Sequence, residues 1–167
     1  IAAWREDFNM SAHDAVPAQV DAASYLKRAG WRFDGVLRVG GHSKGGNLSV
    51  YAAMSASAEL QERIADVFNY DGPGFRESVR GEPGYERIRP KIRSFLPQHS
   101  MVGVLLVNDS PYEIVESSET GASAHNGFTW QVLGTKFLRC DKFSLRTRVY
   151  REAMRSWAAK LDLQQRQ

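Results

Sequence analysis

The sequence predicts an α/β fold, built as a mostly parallel sheet flanked by helices. Short β-like apolar runs alternate with helical stretches along the chain, which is the pattern of βαβ units. The length of 167 residues is typical of one domain and is enough to bury a real core. We find no repeat, low-complexity tract or interdomain linker, so residues 1–167 are treated as a single domain.

The predicted elements follow one another along the chain. A helix is expected over residues 17–29, with Pro17 in its first turn and Gly30 at its end, and a buried strand over 35–40. A second helix is expected over 44–61, and strands over 65–70, 92–96, 112–115 and 128–132. Residues 101–107 fit a short helix or a strand. Asp141 is expected to cap a last helix that buries Leu145 and Val149.

Composition and charge argue against a nucleic-acid-binding protein and against a membrane-spanning protein. Apolar residues make up 43% and charged residues 25%, as in ordinary globular proteins. The net charge of +3 is spread among interleaved acidic and basic residues, so no nucleic-acid partner is expected. No apolar run approaches the roughly 20 residues of a membrane span. The single cysteine, Cys140, fits a reducing compartment and an incidental role, and without a recognisable leader a cytoplasmic location is expected.

One motif carries the chemistry. Gly41-His42-Ser43-Lys44-Gly45 follows a predicted strand and precedes a helix, which is the context of a nucleophile elbow. Gly41 and Gly45 allow the sharp turn that presents Ser43, the predicted nucleophile. The Lys44 amide is expected at a helix N-terminus, where it would stabilise an oxyanion. The alternative is a glycine-rich turn with an incidental serine. A phosphate loop is excluded because Gly45, not Ser or Thr, follows Lys44.

A base and an acid must follow, since such folds run Ser, acid, His along the chain. His125 lies in a Gly/Ser/Asn loop after a strand and is the predicted base, whereas the side chain of His42 is expected to point away from the reaction face. Asp71 follows the strand over 65–70 and either orients His125 or only nucleates a turn. Asp109 is a weaker candidate because Asn-Asp-Ser-Pro is typical of an exposed turn.

Several segments together resemble a known family. They are Trp4-Arg5-Glu6-Asp7-Phe8, the string GHSKGGNL over 41–48, DGPGF over 71–75, Ser100-Met101-Val102-Gly103, and His125 with Phe128-Thr129-Trp130. In these the chain resembles the Mbeg1-like family, a group of bacterial α/β-hydrolase-like proteins, from about residue 1 to 132. The family is similar to the class 3 lipases, which share a GHSxGG elbow, and the resemblance implies esterase or lipase chemistry.

The sequence departs from that pattern in two places. Class 3 lipases carry an aspartate after the strand that here ends near Pro97, where this chain has Gln98, His99 and Ser100. The acid is therefore either Asp71 or absent. Family members also carry further strands before the WREDF-like segment. We therefore expect a hydrolase-like sheet that lacks its N-terminal strands and forms the C-terminal portion of a longer domain.

The leading hypothesis is a cytoplasmic serine hydrolase acting on a small-molecule ester or an acyl lipid, with no metal or organic cofactor. Ser43 would attack, His125 would act as base and then acid, and Asp71 would orient the histidine. A non-catalytic hydrolase-like binding module is the main alternative. Acyl transfer to an acceptor other than water uses the same residues.

Overall fold

A computed structural model describes residues 15–76, 79, 81–106 and 110–165 of the chain. Within them, the strands are β1 (Leu37–His42), β2 (Ile64–Tyr70), β3 (Ile92–Pro97), β4 (Tyr112–Val115), β5 (Val132–Leu133), β6 (Lys136–Phe137) and β7 (Arg139–Cys140). Five of these form one sheet in the order β1-β2-β3-β4-β7, with parallel pairing from β1 to β4 and an antiparallel last pair. β5 and β6 form a small hairpin. The predicted α/β class with a mostly parallel sheet is confirmed.

Helices cover one face of this sheet with apolar side chains. They are α1 (Pro17–Arg32), α2 (Lys44–Met54), α3 (Ala58–Arg63), α4 (Pro83–Ile88) and α5 (Leu145–Gln165). The larger core lies between the first four helices and strands β2 and β3, and includes Leu26, Val50, Ala53, Leu60, Ile64, Val67, Ile88 and Ile92. A smaller cluster of Leu96, Val104 and Phe143 lies beside the start of α5. Burial of these side chains at about 25 cal/mol per Å² of apolar surface is the main stabilising term.

Aromatic rings occupy the opposite face of the sheet. Because side chains alternate along a strand, Phe68 and Tyr70 of β2 face away from Val67 and the helices. Their rings lie 6.0 Å apart, and the Tyr70 ring stacks at 5.5 Å on Phe95 of β3. Trp130 contributes a further ring, 6.3 Å from Tyr70, from the segment after β4. This aromatic layer lies next to the carboxyl ends of β1 and β2.

Three strand predictions are confirmed within one residue, namely those of β2, β3 and β4. The first strand lies two residues later than predicted, so it includes Gly41. The predicted helix over 44–61 is wrong because the chain turns after Met54 and Ser57 caps a new helix, accepting a hydrogen bond from the Leu60 amide. Gly30 lies inside α1, where a Cβ would overlap Leu60. It is a packing residue and does not end the helix.

The C-terminal half differs more from the prediction. Residues 101–106 form turns, neither helix nor strand. The predicted strand over 128–132 is a short 3₁₀ turn over Gly127–Thr129, followed by an isolated bridge from Trp130 to Ser117 and then by β5. Helix α5 is capped by the Ser144 hydroxyl, which accepts from the Thr147 amide, and Asp141 does not cap it. Leu145 and Val149 are 69% and 63% exposed, so the prediction that they are core residues is wrong.

Candidate active site

Ser43 occupies the sharp turn between β1 and α2. Its backbone has φ 58° and ψ −131°, a combination that L-residues adopt only when their surroundings enforce it. The Ser43 amide donates to the Tyr70 carbonyl at 2.8 Å, and the Ser43 carbonyl accepts from the Gly46 amide at 2.9 Å. The strand, strained turn and helix predicted from the motif are therefore present, and Lys44 is the first residue of α2.

Close contacts explain two of the glycines beside this turn, one with backbone and one with a side chain. A Cβ on Gly41 would overlap the backbone carbonyl group of Gly45, and a Cβ on Gly46 would overlap Oδ1 of Asn69. At Gly45 itself nothing lies within 4 Å of an added Cβ. The elbow thus requires Gly41 and Gly46 for space, whereas Gly45 is not required for that reason.

Asp71 lies directly after β2, one strand along from the serine. Its side chain is fully buried and its backbone has φ 50°. Oδ1 accepts hydrogen bonds from the Ser100 hydroxyl at 2.5 Å and from the Gly103 amide at 3.0 Å. A buried carboxylate is stable in its charged form only when such donors replace the lost water. Asp71 therefore does more than nucleate a turn.

His125 binds the other oxygen of this carboxylate. Its Nδ1 lies 2.6 Å from Asp71 Oδ2, and its side chain is 24% exposed. Because a carboxylate only accepts, the proton lies on Nδ1 and the Nε2 lone pair is left to accept a proton. His125 ends the 3₁₀ helix Gly121–His125, which brings it to the same edge of the sheet as Ser43 and Asp71. The predicted acid and base are thus in direct contact.

His42 connects the base to the elbow. Its ring centroid lies 4.5 Å from that of His125, and its Nε2 lies 2.7 Å from the His125 carbonyl oxygen. The ring was predicted to point away from the reaction face, and the structure shows that it packs against the predicted base. Among the hydrogen bonds of the described residues, none joins Ser43 to His125. Such catalytic bonds are often long before substrate binds.

The described part of the loop after β3, residues 98–106, contains no carboxylate. In place of an aspartate, Ser100 occupies this loop, and its hydroxyl donates to Asp71. Asp109 lies outside the described residues. The segment from Ser100 to Gly103 was noted only as part of the family resemblance and was given no role, because a serine and a glycine three residues apart carry no chemical signal until the carboxylate that they bind is known.

A buried amide network fixes the loop that follows Asp71. Asn47 of α2 is fully buried, and its Nδ2 donates to the carbonyls of Pro73 and Gly74 at 3.1 and 3.0 Å. Its Oδ1 accepts from Gln19 of α1 at 2.8 Å. These bonds fix the position of the loop relative to α2. The motif string GHSKGGN thus ends in a structural asparagine, which sequence reasoning did not single out.

Cys140 does not match the requirements of a nucleophile. Burial raises the pKa of its thiol, and the nearby charges of Glu116 and Asp141 raise it further. The Sγ donates to Gln98 Oε1 at 2.8 Å. A nucleophilic cysteine needs the opposite environment, one that favours the thiolate.

The described residues contain neither a cluster of three or more His, Cys, Asp or Glu side chains that could hold a metal ion nor a helix long and apolar enough to cross a membrane. One family model matches the chain, that of the family described as Mbeg1-like, and it covers residues 1–167. Neither curated proteins nor solved structures gave a match.

Proposed function

The chain belongs to the Mbeg1-like family, and from the site just described we propose that it is a serine hydrolase that cleaves carboxylic esters. One observation carries the proposal. A buried aspartate and a histidine form a 2.6 Å pair at the edge of the sheet where a serine occupies a strained strand-to-helix turn. Serine hydrolases of the α/β type combine the same three parts.

In the proposed reaction, Ser43 Oγ attacks the ester carbonyl while His125 Nε2 takes the hydroxyl proton. Asp71, which has no other charge partner among the described residues, stabilises the imidazolium that forms. The Lys44 amide at the start of α2 donates to the oxyanion. The tetrahedral intermediate then releases the alcohol, which receives the proton from His125. Water repeats the sequence on the acyl-enzyme, with His125 again as base, and releases the carboxylic acid.

We propose that the substrate is a small-molecule ester or an acyl lipid, in line with the GHSxGG elbow that this chain has in common with class 3 lipases. We also propose that the chain is an α/β-hydrolase related to these lipases and that it is located in the cytoplasm. The reaction needs no metal or organic cofactor, because the nucleophile, the base and the oxyanion donor are all protein groups. Acyl transfer differs only in the acceptor that enters second. Product analysis with added alcohols separates it from hydrolysis.

The test compares Ser43→Ala with the wild-type protein. We expect the variant to lose hydrolysis of p-nitrophenyl butyrate and labelling by a fluorophosphonate probe. Ser49→Ala is the matched control, since Ser49 is on α2, the helix that Ser43 precedes, and its hydroxyl donates to the Gly45 carbonyl at 2.7 Å. Equal labelling of wild type and Ser43→Ala would refute the assignment of Ser43 as the nucleophile.

A second candidate function is a hydrolase-like module that binds a ligand without turnover. The observation that favours it is that no hydrogen bond among the described residues joins Ser43 to His125. A folded protein that reacts with neither the probe nor a panel of esters would support this alternative. Such a protein should still retain the Asp71–His125 pair, which can be detected independently of activity.

A further inference from the structure

We propose that His42 is a positioning residue that fixes the loop carrying the base. The inference rests on the proposed function, because it assigns His42 a role in orienting His125. The motif places His42 directly before the nucleophile, where it ends strand β1. Its side chain is directed at the base loop and bonds to the backbone of the base itself.

The hydrogen bond from His42 to the His125 carbonyl shows which ring nitrogen of His42 carries a proton. A carbonyl oxygen can only accept, so His42 Nε2 carries a proton and donates it to the His125 carbonyl at 2.7 Å. The two rings also lie 4.5 Å apart at an interplanar angle of 35°. The His42 ring thus contacts both the backbone carbonyl and the ring of His125. It lies beside the imidazole that must become charged during the proposed reaction.

A second donor holds the preceding residue. Trp130 is buried, and its Nε1 donates to the Ala124 carbonyl at 2.9 Å. Two successive carbonyls of the base loop are therefore bound by ring N–H groups from different parts of the chain. The 3₁₀ helix Gly121–His125 is only five residues long, and short 3₁₀ segments have weak internal hydrogen bonds. Its position depends on such outside contacts.

The ring and backbone of His125 are thus fixed separately. Asp71 binds ring Nδ1 and sets which nitrogen carries the proton, whereas His42 binds the carbonyl and sets where the ring lies relative to the elbow. An alternative is that His42 is itself the base. Its Nε2 is already used as a donor to the His125 carbonyl, whereas Asp71 binds only Nδ1 of His125, so we assign His42 the positioning role.

Two substitutions separate the donor from the ring. His42→Phe keeps a ring but removes the N–H, whereas His42→Gln keeps an N–H donor without the ring. We expect His42→Phe to lower kcat for p-nitrophenyl butyrate by about 10- to 100-fold, with KM changed less than about threefold, because a shifted base weakens chemistry more than binding. His42→Gln should keep at least about a third of kcat.

Proton NMR gives a readout that does not depend on turnover. The low-field resonance of the His125 Nδ1–H bonded to Asp71 should persist in wild type and His42→Gln, and should shift or broaden in His42→Phe. Arg38→Gln is the matched control, since Arg38 is on the same strand and sheet face but pairs with Asp66 at 3.1 Å. Its kcat and resonance should match those of wild type. Thermal unfolding by circular dichroism confirms that each variant is folded.

The outcomes separate this inference from the proposed function. If wild type is inert but the resonance responds to His42→Phe and not to His42→Gln, the positioning role stands and the hydrolase proposal fails. Equal kcat and an unchanged resonance in His42→Phe would overturn the positioning role. Complete loss of kcat in both His42 variants would also overturn it and would make His42 a catalytic residue.

Discussion

Replacement of Asp71 by asparagine tests the role of the acid most directly. Oδ1 of Asp71 accepts two bonds, from the Ser100 hydroxyl and the Gly103 amide. In the Asp71→Asn variant the amide oxygen must stay at that position, because the Gly103 N–H can only donate. The amide NH₂ then faces His125 Nδ1 at the place where Oδ2 lies 2.6 Å away. An NH₂ group can only donate, so His125 must move its proton to Nε2.

This change of tautomer removes the lone pair that would accept the serine proton. In a serine protease with the same arrangement, the equivalent substitution lowers kcat by about 10⁴. We expect a fall of about 10³- to 10⁴-fold here, equal to about 4–5.5 kcal/mol of transition-state stabilisation. Asparagine tolerates the φ of 50° at this position, so the backbone strain is unchanged. The free energy of unfolding should change by less than about 2 kcal/mol, since a buried charge is removed while its hydrogen bonds are replaced.

The assay is the initial rate of p-nitrophenyl butyrate hydrolysis, with urea unfolding measured on the same samples. Asp66→Asn is the matched control, because Asp66 is on β2, the strand that Asp71 follows, but pairs with Arg38 and Arg93 at the exposed sheet face. It should keep wild-type kcat. If folded Asp71→Asn retains more than about a tenth of wild-type kcat, the assignment of Asp71 as the acid is refuted.

Four further predictions concern the scaffold and the cysteine. Gly41→Ala should destabilise the protein by more than about 3 kcal/mol in urea unfolding, because the Gly45 carbonyl blocks its Cβ. Gly45→Ala, in open space on α2, should be neutral or stabilising by up to about 1 kcal/mol. Asn47→Ala should lower the free energy of unfolding by about 3 kcal/mol or more, since three bonded partners lose it; a loss below 1 kcal/mol contradicts the network. Cys140 should be alkylated by iodoacetamide more slowly than free cysteine at pH 7.5, because its raised pKa leaves less thiolate. Equal rates would contradict this, and an alkylated protein should keep its activity.

The elbow could be predicted from the sequence because its determinants are local. Gly41 and Gly45 touch across four residues, and the strained turn at Ser43 follows from the chain passing directly from strand to helix. Buried strands β2 and β3 were predicted within one residue because each is a short apolar run ended by a turn signal. Such features need only the spacing of neighbouring residues.

Predictions that required knowledge of what a segment packs against were less successful. The apolar positions Leu145 and Val149 have helical spacing, yet they are exposed. The core cluster at this end is packed instead by Phe143, which precedes α5, and by Tyr150 of α5. Gly30 was predicted to end a helix. It lies instead inside α1, where the Leu60 side chain of α3 leaves no space for a Cβ. Periodicity identifies a helix but not which of its sides another element covers.

The role of Asp71 could not be determined from the sequence and depends on the tertiary structure. The sequence by itself determined a serine in an elbow, a histidine in a later loop and an aspartate after a strand. It left the aspartate equally able to orient a base or to form a turn. Only the fold decides between them, because the side chains that contact this carboxylate come from positions 29 to 54 residues away. Burial then makes those contacts obligatory, since a carboxylate without water must find donors in the protein.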